Sequence, residues 1–190
     1  MIGVDRLRND EGFTLVELVI VLGLLLFVIS AAWNVYSLAA RGSDVSNRQA
    51  FEARELGAPL DAFERILSQC QDFVTTVPGS TPYRVHVRAD MDDDQVSEDY
   101  IIEATAAGDL VMQSREGTGV YRTGIWSDHN VNVQRGAPLF RYFDSSGDEI
   151  TGVNLNENVW TYAYSIEITI VAEHGDEPVR STRRVLLRNR

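Results

Sequence analysis

The sequence predicts an α+β protein: a long amino-terminal helix, whose first half spans a membrane, packs on an antiparallel β-sheet. Three patterns favour this class. Residues 13–33 form an apolar run with one charge, and residues 34–73 carry apolar side chains at the spacing of a helix. After Val77 apolar and polar residues alternate, as they do in a β-strand. A sheet with one apolar face needs a covering layer, and the amphipathic part of the helix can provide it.

The first twelve residues form a short polar leader. Residues 1–12 contain Arg6 and Arg8 but no apolar core. An ordinary secretory signal has its apolar region before the cleavage site, whereas here the apolar region follows the leader. The two arginines favour a cytoplasmic leader and a carboxyl-terminal domain outside the cytoplasm, although three acidic residues of the leader weaken this signal.

Residues 13–33 are predicted to be a single transmembrane helix. The run is 21 residues long, and Glu17 is its only charged residue. At a rise of about 1.5 Å per residue such a helix spans roughly 31 Å, close to the thickness of the hydrocarbon core. A carboxylate at membrane depth costs on the order of 2.5–3.5 kcal/mol, so we expect Glu17 to have a partner or a function.

Residues 12–17 read Gly-Phe-Thr-Leu-Val-Glu, and the apolar run continues directly from them. This arrangement resembles the processing site of the type IV pilin family, which includes the pseudopilins of type II secretion. The resemblance implies a pilin-like fold, cleavage between Gly12 and Phe13 by a prepilin peptidase, and N-methylation of Phe13. It also implies that Glu17 helps the subunit dock into a filament. The alternative is a plain signal anchor with a fortuitous glutamate.

The resemblance implies other pilins or pseudopilins as partners, together with an assembly platform in the membrane and its cytoplasmic ATPase. After cleavage, the α-amine of Phe13 would be a cation at the end of an apolar helix. Pairing with Glu17 of a neighbouring subunit would relieve the cost of both charges in lipid and would favour one register between the helices. The apolar helices would then form the filament core.

Residues 34–73 are predicted to continue the helix with one apolar stripe. Because Pro59 disrupts the preceding helical turn, we expect a kink or short break near Gly57–Ala58. Cys70 lies on the stripe and is expected to be a small buried hydrophobe, since a single cysteine forms no intramolecular disulfide. The residues of the stripe are Val35, Leu38, Val45, Leu56, Leu60, Phe63, Ile66, Leu67 and Cys70.

Residues 74–190 are predicted to form the antiparallel sheet domain. In the first strand His86 is expected to share the solvent face with its arginine neighbours. The last two strands are expected to form a hairpin across the turn His174–Pro178. The predicted strands are Tyr83–Arg88, Tyr100–Thr105, Leu110–Ser114, Pro138–Asp144, Glu149–Thr151, Trp160–Val171 and Val179–Arg188.

Several features favour a minor subunit over a major one. Ala137–Asp144 and Val185–Asn189 resemble segments of minor pseudopilins of the J-like class. Many major pilins have a helix-kinking proline where this chain has Asn34, and a disulfide loop that Cys70 alone cannot form. The resemblance therefore implies a minor pilin or pseudopilin of a type IV pilus-like or type II secretion filament. The alternative function is a surface-binding minor pilin, either an adhesin or a DNA-uptake subunit.

Composition and motifs disfavour other classes. The formal net charge is -11, and all 17 basic residues are arginines. This charge argues against a nucleic-acid surface, which needs basic residues to displace counterions. The sequence has no nucleophile elbow, P-loop or dinucleotide fingerprint, so we expect neither an enzyme nor a cofactor. The three histidines lie in different predicted elements without metal-ligand spacing, and no metal site is expected on His86, His129 or His174.

One acidic cluster has a spacing typical of calcium loops. Asp90, Asp92 and Asp94 match the first three ligand positions of such a loop. The sixth position is Gln95 instead of glycine, and the twelfth is Ile101 instead of glutamate, so the segment is not a regular EF-hand. We expect a solvated acidic turn; the alternative is an irregular calcium site on the three aspartates.

Overall fold

The computed structural model describes residues 14–75, 79–92, 94–152, 155–175 and 177–187. The chain divides into two units, Met1–Asn47 and Arg48–Arg190. The first unit contains most of helix α1, and the second contains the remaining helices and all the described strands.

Helix α1, Leu15–Glu52, carries the apolar run. In the single chain its large apolar residues from Leu15 to Val45 are 50–79% exposed, and none of its described residues is buried. Together with the helical turns that follow it to Ser68, it is long and apolar enough to cross a membrane. The predicted long apolar helix at the amino terminus is confirmed.

The helix does not break at Gly57–Ala58. It passes through a π turn, Ala53–Gly57, into helix α2, Ala58–Ser68, and the Ala58 N–H donates to the carbonyl of Ala53 five residues earlier. Pro59 has no N–H, and its ring would clash with the carbonyl four residues before it in an ordinary α turn. The effect of Pro59 is therefore a π turn within a continuing helix, in place of the expected kink or break.

Helix α2 buries the second part of the predicted stripe. Leu60, Phe63 and Leu67 are at most 1% exposed, and α2 contacts strands of both sheets. The prediction that the helix reaches residue 73 was wrong, because α2 ends at Ser68 and Cys70–Phe73 forms strand β1. Cys70, Asp72 and Phe73 pair with the neighbouring strand β2, Arg84–Ala89, instead of forming another helical turn. Cys70 is buried, as expected.

The first sheet has five antiparallel strands in chain order. Gly108 lies in the turn that joins the third and fourth strands, and it has a φ of +101°. A Cβ atom on Gly108 would also lie 3.3 Å from the carbonyl oxygen of Asn130. His86 is only 3% exposed, so the prediction that its side chain lies on the solvent face of the strand was wrong. The strands are β1 (Cys70–Phe73), β2 (Arg84–Ala89), β3 (Glu98–Ala104), β4 (Leu110–Glu116) and β5 (Arg122–Ser127).

The second sheet has four antiparallel strands in the order β7-β6-β8-β9. The predicted terminal hairpin is confirmed as the β8–β9 pair, with Ile166 opposite Val185. Ile166, Ile168 and Ile170 are fully buried, as their alternation predicted. The strands are β6 (Phe140–Phe143), β7 (Glu149–Ile150), β8 (Ser165–His174) and β9 (Glu177–Leu186).

The prediction that a strand begins at Trp160 was wrong. Helix α3, Leu155–Tyr162, occupies this segment. Leu155, Val159 and Ala163 pack toward the core at a spacing of four, whereas Trp160 and Tyr162 are exposed. The burial therefore follows the period of a helix, although the aromatic residues alternate as in a strand.

One apolar core joins α2 to both sheets, so the architecture is a long apolar helix followed by antiparallel sheets, an α+β and pilin-like arrangement. The single sheet expected from the sequence is divided into two. Large members of the core that are fully buried include Phe63, Leu67, Ile102, Leu110, Phe140, Tyr142, Ile166 and Ile168.

Candidate functional site

The predicted processing residues Gly12 and Phe13 lie outside the described residues, which begin at Thr14. The site that the structure describes is therefore the start of helix α1 and the apolar surface that follows it.

Thr14 and Glu17 form a reciprocal cap at the start of α1. The Thr14 N–H and hydroxyl donate to Glu17 Oε2 at 3.0 and 2.9 Å, and the Glu17 N–H donates to the Thr14 hydroxyl oxygen at 3.3 Å. This is a capping box, in which a threonine and a glutamate three residues later satisfy helix-end N–H groups. This cap was not predicted, although the pattern Thr-x-x-Glu is present in the sequence.

The cap uses one of the two carboxylate oxygens of Glu17. Within the described residues, Oε1 accepts no hydrogen bond. An ionised carboxylate has about four lone-pair sites. Glu17 can therefore cap its own helix and still accept a cationic donor from another chain.

Two serine hydroxyls of α1 bond to backbone carbonyls of their own helix. The Ser30 hydroxyl donates to the carbonyl of Leu26 at 2.8 Å, and the Ser37 hydroxyl donates to the carbonyl of Asn34 at 2.9 Å. Such bonds satisfy the hydroxyl groups without water, as a lipid environment requires. The long exposed apolar surface of the helix is suited to lipid or to other apolar helices.

The acidic cluster is brought together in a turn between β2 and β3. Carboxylate oxygens of Asp90, Asp92 and Asp94 lie within 4.8 Å of one another. Gln95, in the position where a calcium loop has glycine, has a φ of +69°. Two of the carboxylates bond to the turn itself: Asp90 accepts the Gln95 N–H at 3.0 Å, and Asp94 accepts the N–H two residues after it at 2.7 Å.

An ion-pair cluster lies on the first sheet. Asp99, which is 6% exposed, accepts hydrogen bonds from Arg88 at 3.3 Å and from Arg115. Burial disfavours the charged carboxylate, but the hydrogen bonds from Arg115 and Arg88 outweigh it and hold the pKa of Asp99 below its ordinary value. The Arg115 guanidinium also lies 4.4 Å from the centre of the Tyr121 ring.

Two of the three histidines lie close to one aromatic ring, and His86 lies apart from them. His86 lies in β2 with its Nε2 3.5 Å from the Tyr121 hydroxyl. His129 and His174 both lie against the ring of Phe51, with ring centres 5.7 and 4.5 Å from it.

A mixed cluster that the sequence analysis missed forms around His129. Ligand atoms of Glu55, Asp128 and His129 lie within 4.8 Å of one another. Glu55 comes from the π turn, 73 residues before Asp128, so no local spacing in the sequence could reveal the group.

Residues 7–33, about one seventh of the chain, match the family described as the prokaryotic N-terminal methylation motif. Gly12, Phe13 and Glu17 fall inside the matched segment. A comparison with curated proteins finds no match. The motif supports a pilin or pseudopilin subunit anchored in a membrane and favours a structural subunit over an enzyme.

Proposed function

We propose that this chain is a minor pilin or pseudopilin, of the J-like class, that enters a type IV pilus-like or type II secretion filament after loss of its leader. A prepilin peptidase would cut between Gly12 and Phe13, and Phe13 would be N-methylated. The observation that carries the proposal is the methylation motif at residues 7–33, placed at the start of an apolar helix with no buried residue.

The exposed apolar surface of α1 supports insertion of this helix in a membrane and its later packing in a filament. Monomeric soluble proteins rarely expose apolar patches beyond a few hundred Å². A helix with large apolar residues at least 50% exposed over Leu15–Val45 needs a covering environment. Lipid would cover it before assembly and other subunits' helices after assembly, with the second unit, Arg48–Arg190, called the head domain, outside the cytoplasm.

Glu17 would set the register between neighbouring subunits. Its Oε2 is held by Thr14, which fixes the direction of the carboxylate. Its Oε1 would accept the cationic α-amine of Phe13 from a neighbouring chain. A shift of one helical turn would leave both charges unpaired in an apolar core, at a cost in free energy.

Filament incorporation of Glu17 variants tests this role. Glu17→Gln keeps a side chain that can complete a capping box but removes the charge. We expect Glu17→Gln and Glu17→Ala both to insert in the membrane and both to be depleted from filaments at least about tenfold, a loss equivalent to about 1.4 kcal/mol. Immunoblots of filament and membrane fractions measure the ratio.

The matched control is Ser30→Ala, which changes a polar residue of the same helix that bonds only to its own backbone carbonyl. It should enter filaments at the wild-type level. Wild-type incorporation of Glu17→Gln with loss of Glu17→Ala would show that Glu17 acts as a helix cap and would contradict the pairing mechanism.

A further inference from the structure

The head domain contains a buried carboxylate oxygen without a hydrogen-bond partner. Glu55 is 2% exposed, and its Oε2 accepts no hydrogen bond within the described residues. Its other oxygen lies 3.3 Å from Nε of Arg54, a side chain that is 81% exposed. A buried polar oxygen without a hydrogen-bond partner is costly to the fold, so such a group calls for a ligand.

The unsatisfied oxygen points at two further metal-ligating side chains. Glu55 Oε2 lies 3.8 Å from Nδ1 of His129, and Nδ1 lies 2.6 Å from Oδ1 of Asp128. Ligands around a tetrahedral zinc ion, at about 2.0–2.2 Å from the metal, are roughly 3.3 Å apart. The two distances to His129 Nδ1 lie on either side of this value, and the ligand atoms of all three residues lie within 4.8 Å of one another.

The backbone holds these side chains in place from separate elements. Glu55 lies in the π turn, Ala53–Gly57, and turns of this kind occur frequently at functional sites. The His129 N–H donates to the Ser127 hydroxyl at 3.2 Å, and the His129 carbonyl accepts the Glu173 N–H from β8 at 2.9 Å. The loop is thus fixed to the second sheet before any ligand arrives.

We propose that Glu55, Asp128 and His129 bind one divalent transition-metal ion of the zinc type. Two carboxylates and a neutral imidazole give a donor set with charge -2, which the ion neutralises. Imidazole favours zinc-type ions over calcium, which prefers oxygen ligands. Glu55 and His129 line a cleft together with Glu173 and His174, so water or one of these two side chains would fill the fourth coordination position. The bound ion links the π turn to the loop after β5.

Metal titration of the full chain in detergent micelles tests the site. After chelator treatment, Co²⁺ should produce visible absorption bands that saturate at one ion per chain and disappear on addition of Zn²⁺. Zn²⁺ at about a hundred times its Kd should raise the melting temperature of the head by about 5–10 °C. Absence of bands and a shift below about 1 °C at about 1 mM Zn²⁺ would overturn the proposal.

Isosteric variants locate the ion. Glu55→Gln and His129→Gln should each weaken Zn²⁺ binding at least about 100-fold, since loss of even an outer-shell partner weakens sites 10–100-fold. Glu52→Gln, a change at a partly exposed carboxylate that pairs with Arg48, and Asp92→Asn, in the separate acidic turn, should bind Zn²⁺ as wild type. Unchanged binding in both site variants, or loss of binding in either control, would overturn the assignment.

Folding and metal choice are checked separately. In chelator, Glu55→Gln should melt at or above the wild-type temperature because a buried charge is removed. If Glu55→Gln does not fold, the half-exposed His129→Gln carries the test alone, and wild-type affinity in that variant would refute the site. Ca²⁺ should not displace Co²⁺; displacement at equal concentration would contradict a zinc-type site.

Discussion

At the scale of single residues, Glu17 has two compatible roles. The cost of a charge in lipid predicts that Glu17 has a partner, and the structure provides one within the chain, the cap at Thr14. The second partner, a neighbouring α-amine, belongs to the proposed filament. The cap was predictable from the sequence, because Thr-x-x-Glu before an apolar run is itself a helix-start pattern.

Asp99 should make the stability of the head depend on pH. Its folded-state pKa lies below the ordinary value of about 3.9, so its contribution is present above about pH 4 and is lost as the pH falls through the folded-state pKa. We expect Asp99→Asn to lower the free energy of unfolding at pH 7 by about 1.5–3 kcal/mol, the range for hydrogen bonds to charged groups. Thermal melts of both proteins at pH 7, 5 and 3 measure the difference.

The difference between wild type and Asp99→Asn should shrink between pH 5 and pH 3. A difference that stays constant over this range would mean that packing at Asp99, and not its charge, supports the fold. Asp109→Asn, at a partly exposed position in the turn between β3 and β4, serves as the control and should change neither stability nor its pH dependence.

At the scale of elements, periodicity located the long helix and the terminal hairpin but misassigned two segments. The aromatic alternation at Trp160 and Tyr162 indicated a strand, yet the residues that pack inward are spaced by four. The side chain of Asn156 in α3 accepts the Ser80 N–H at 2.8 Å and donates to the Thr75 carbonyl at 2.7 Å. These contacts link positions about 80 residues apart, and no local pattern contains them.

The segment between β5 and β6 depends on one buried asparagine. Asn132 is fully buried, and its amide donates to the carbonyls of Thr169 and Ala137 at 2.7 and 3.1 Å. Its Oδ1 accepts the Val171 N–H at 2.9 Å. The side chain thus fixes this segment to β8 with several hydrogen bonds.

Asn132→Ala should lower the free energy of unfolding of the head by at least about 2 kcal/mol, because it leaves buried backbone groups without partners. Urea denaturation followed by circular dichroism measures the change. Asn47→Ala, an exposed change on α1, should be within about 0.5 kcal/mol of wild type. Equal stabilities for the two variants would contradict the structural role of Asn132.

At the scale of the whole molecule, the sequence predicted the class of fold and the apolar surface, because both follow from composition and period. The number of sheets was not predictable, since it depends on which strands pair across long stretches of chain. The same limit explains why the cluster at Glu55 was missed. Val35, Leu38 and Val45 belong to the predicted apolar stripe but are exposed. Only the second part of the stripe, from Leu56 onward, is buried in the core.

Calcium should not stabilise the head through the acidic turn. Asp90 and Asp94 already bond to the N–H groups of the turn, so two of the three carboxylates are in use without an ion. We expect the melting temperature of the full chain in detergent to change by less than about 1 °C between calcium and chelator. At a hundred times its Kd a bound ion would contribute about 2.7 kcal/mol. A shift of several degrees that disappears in Asp92→Ala or Asp94→Ala would establish a calcium site there.

The most direct test of the central claim, that this chain is a processed filament subunit, is the mass of its amino-terminal peptide in assembled material. The chain contains no lysine, so an amine-directed label reports its amino terminus alone. We predict a peptide that begins at Phe13 and carries one added methyl group on its α-nitrogen. Recovery of filament-associated protein with Met1–Gly12 intact would contradict the account.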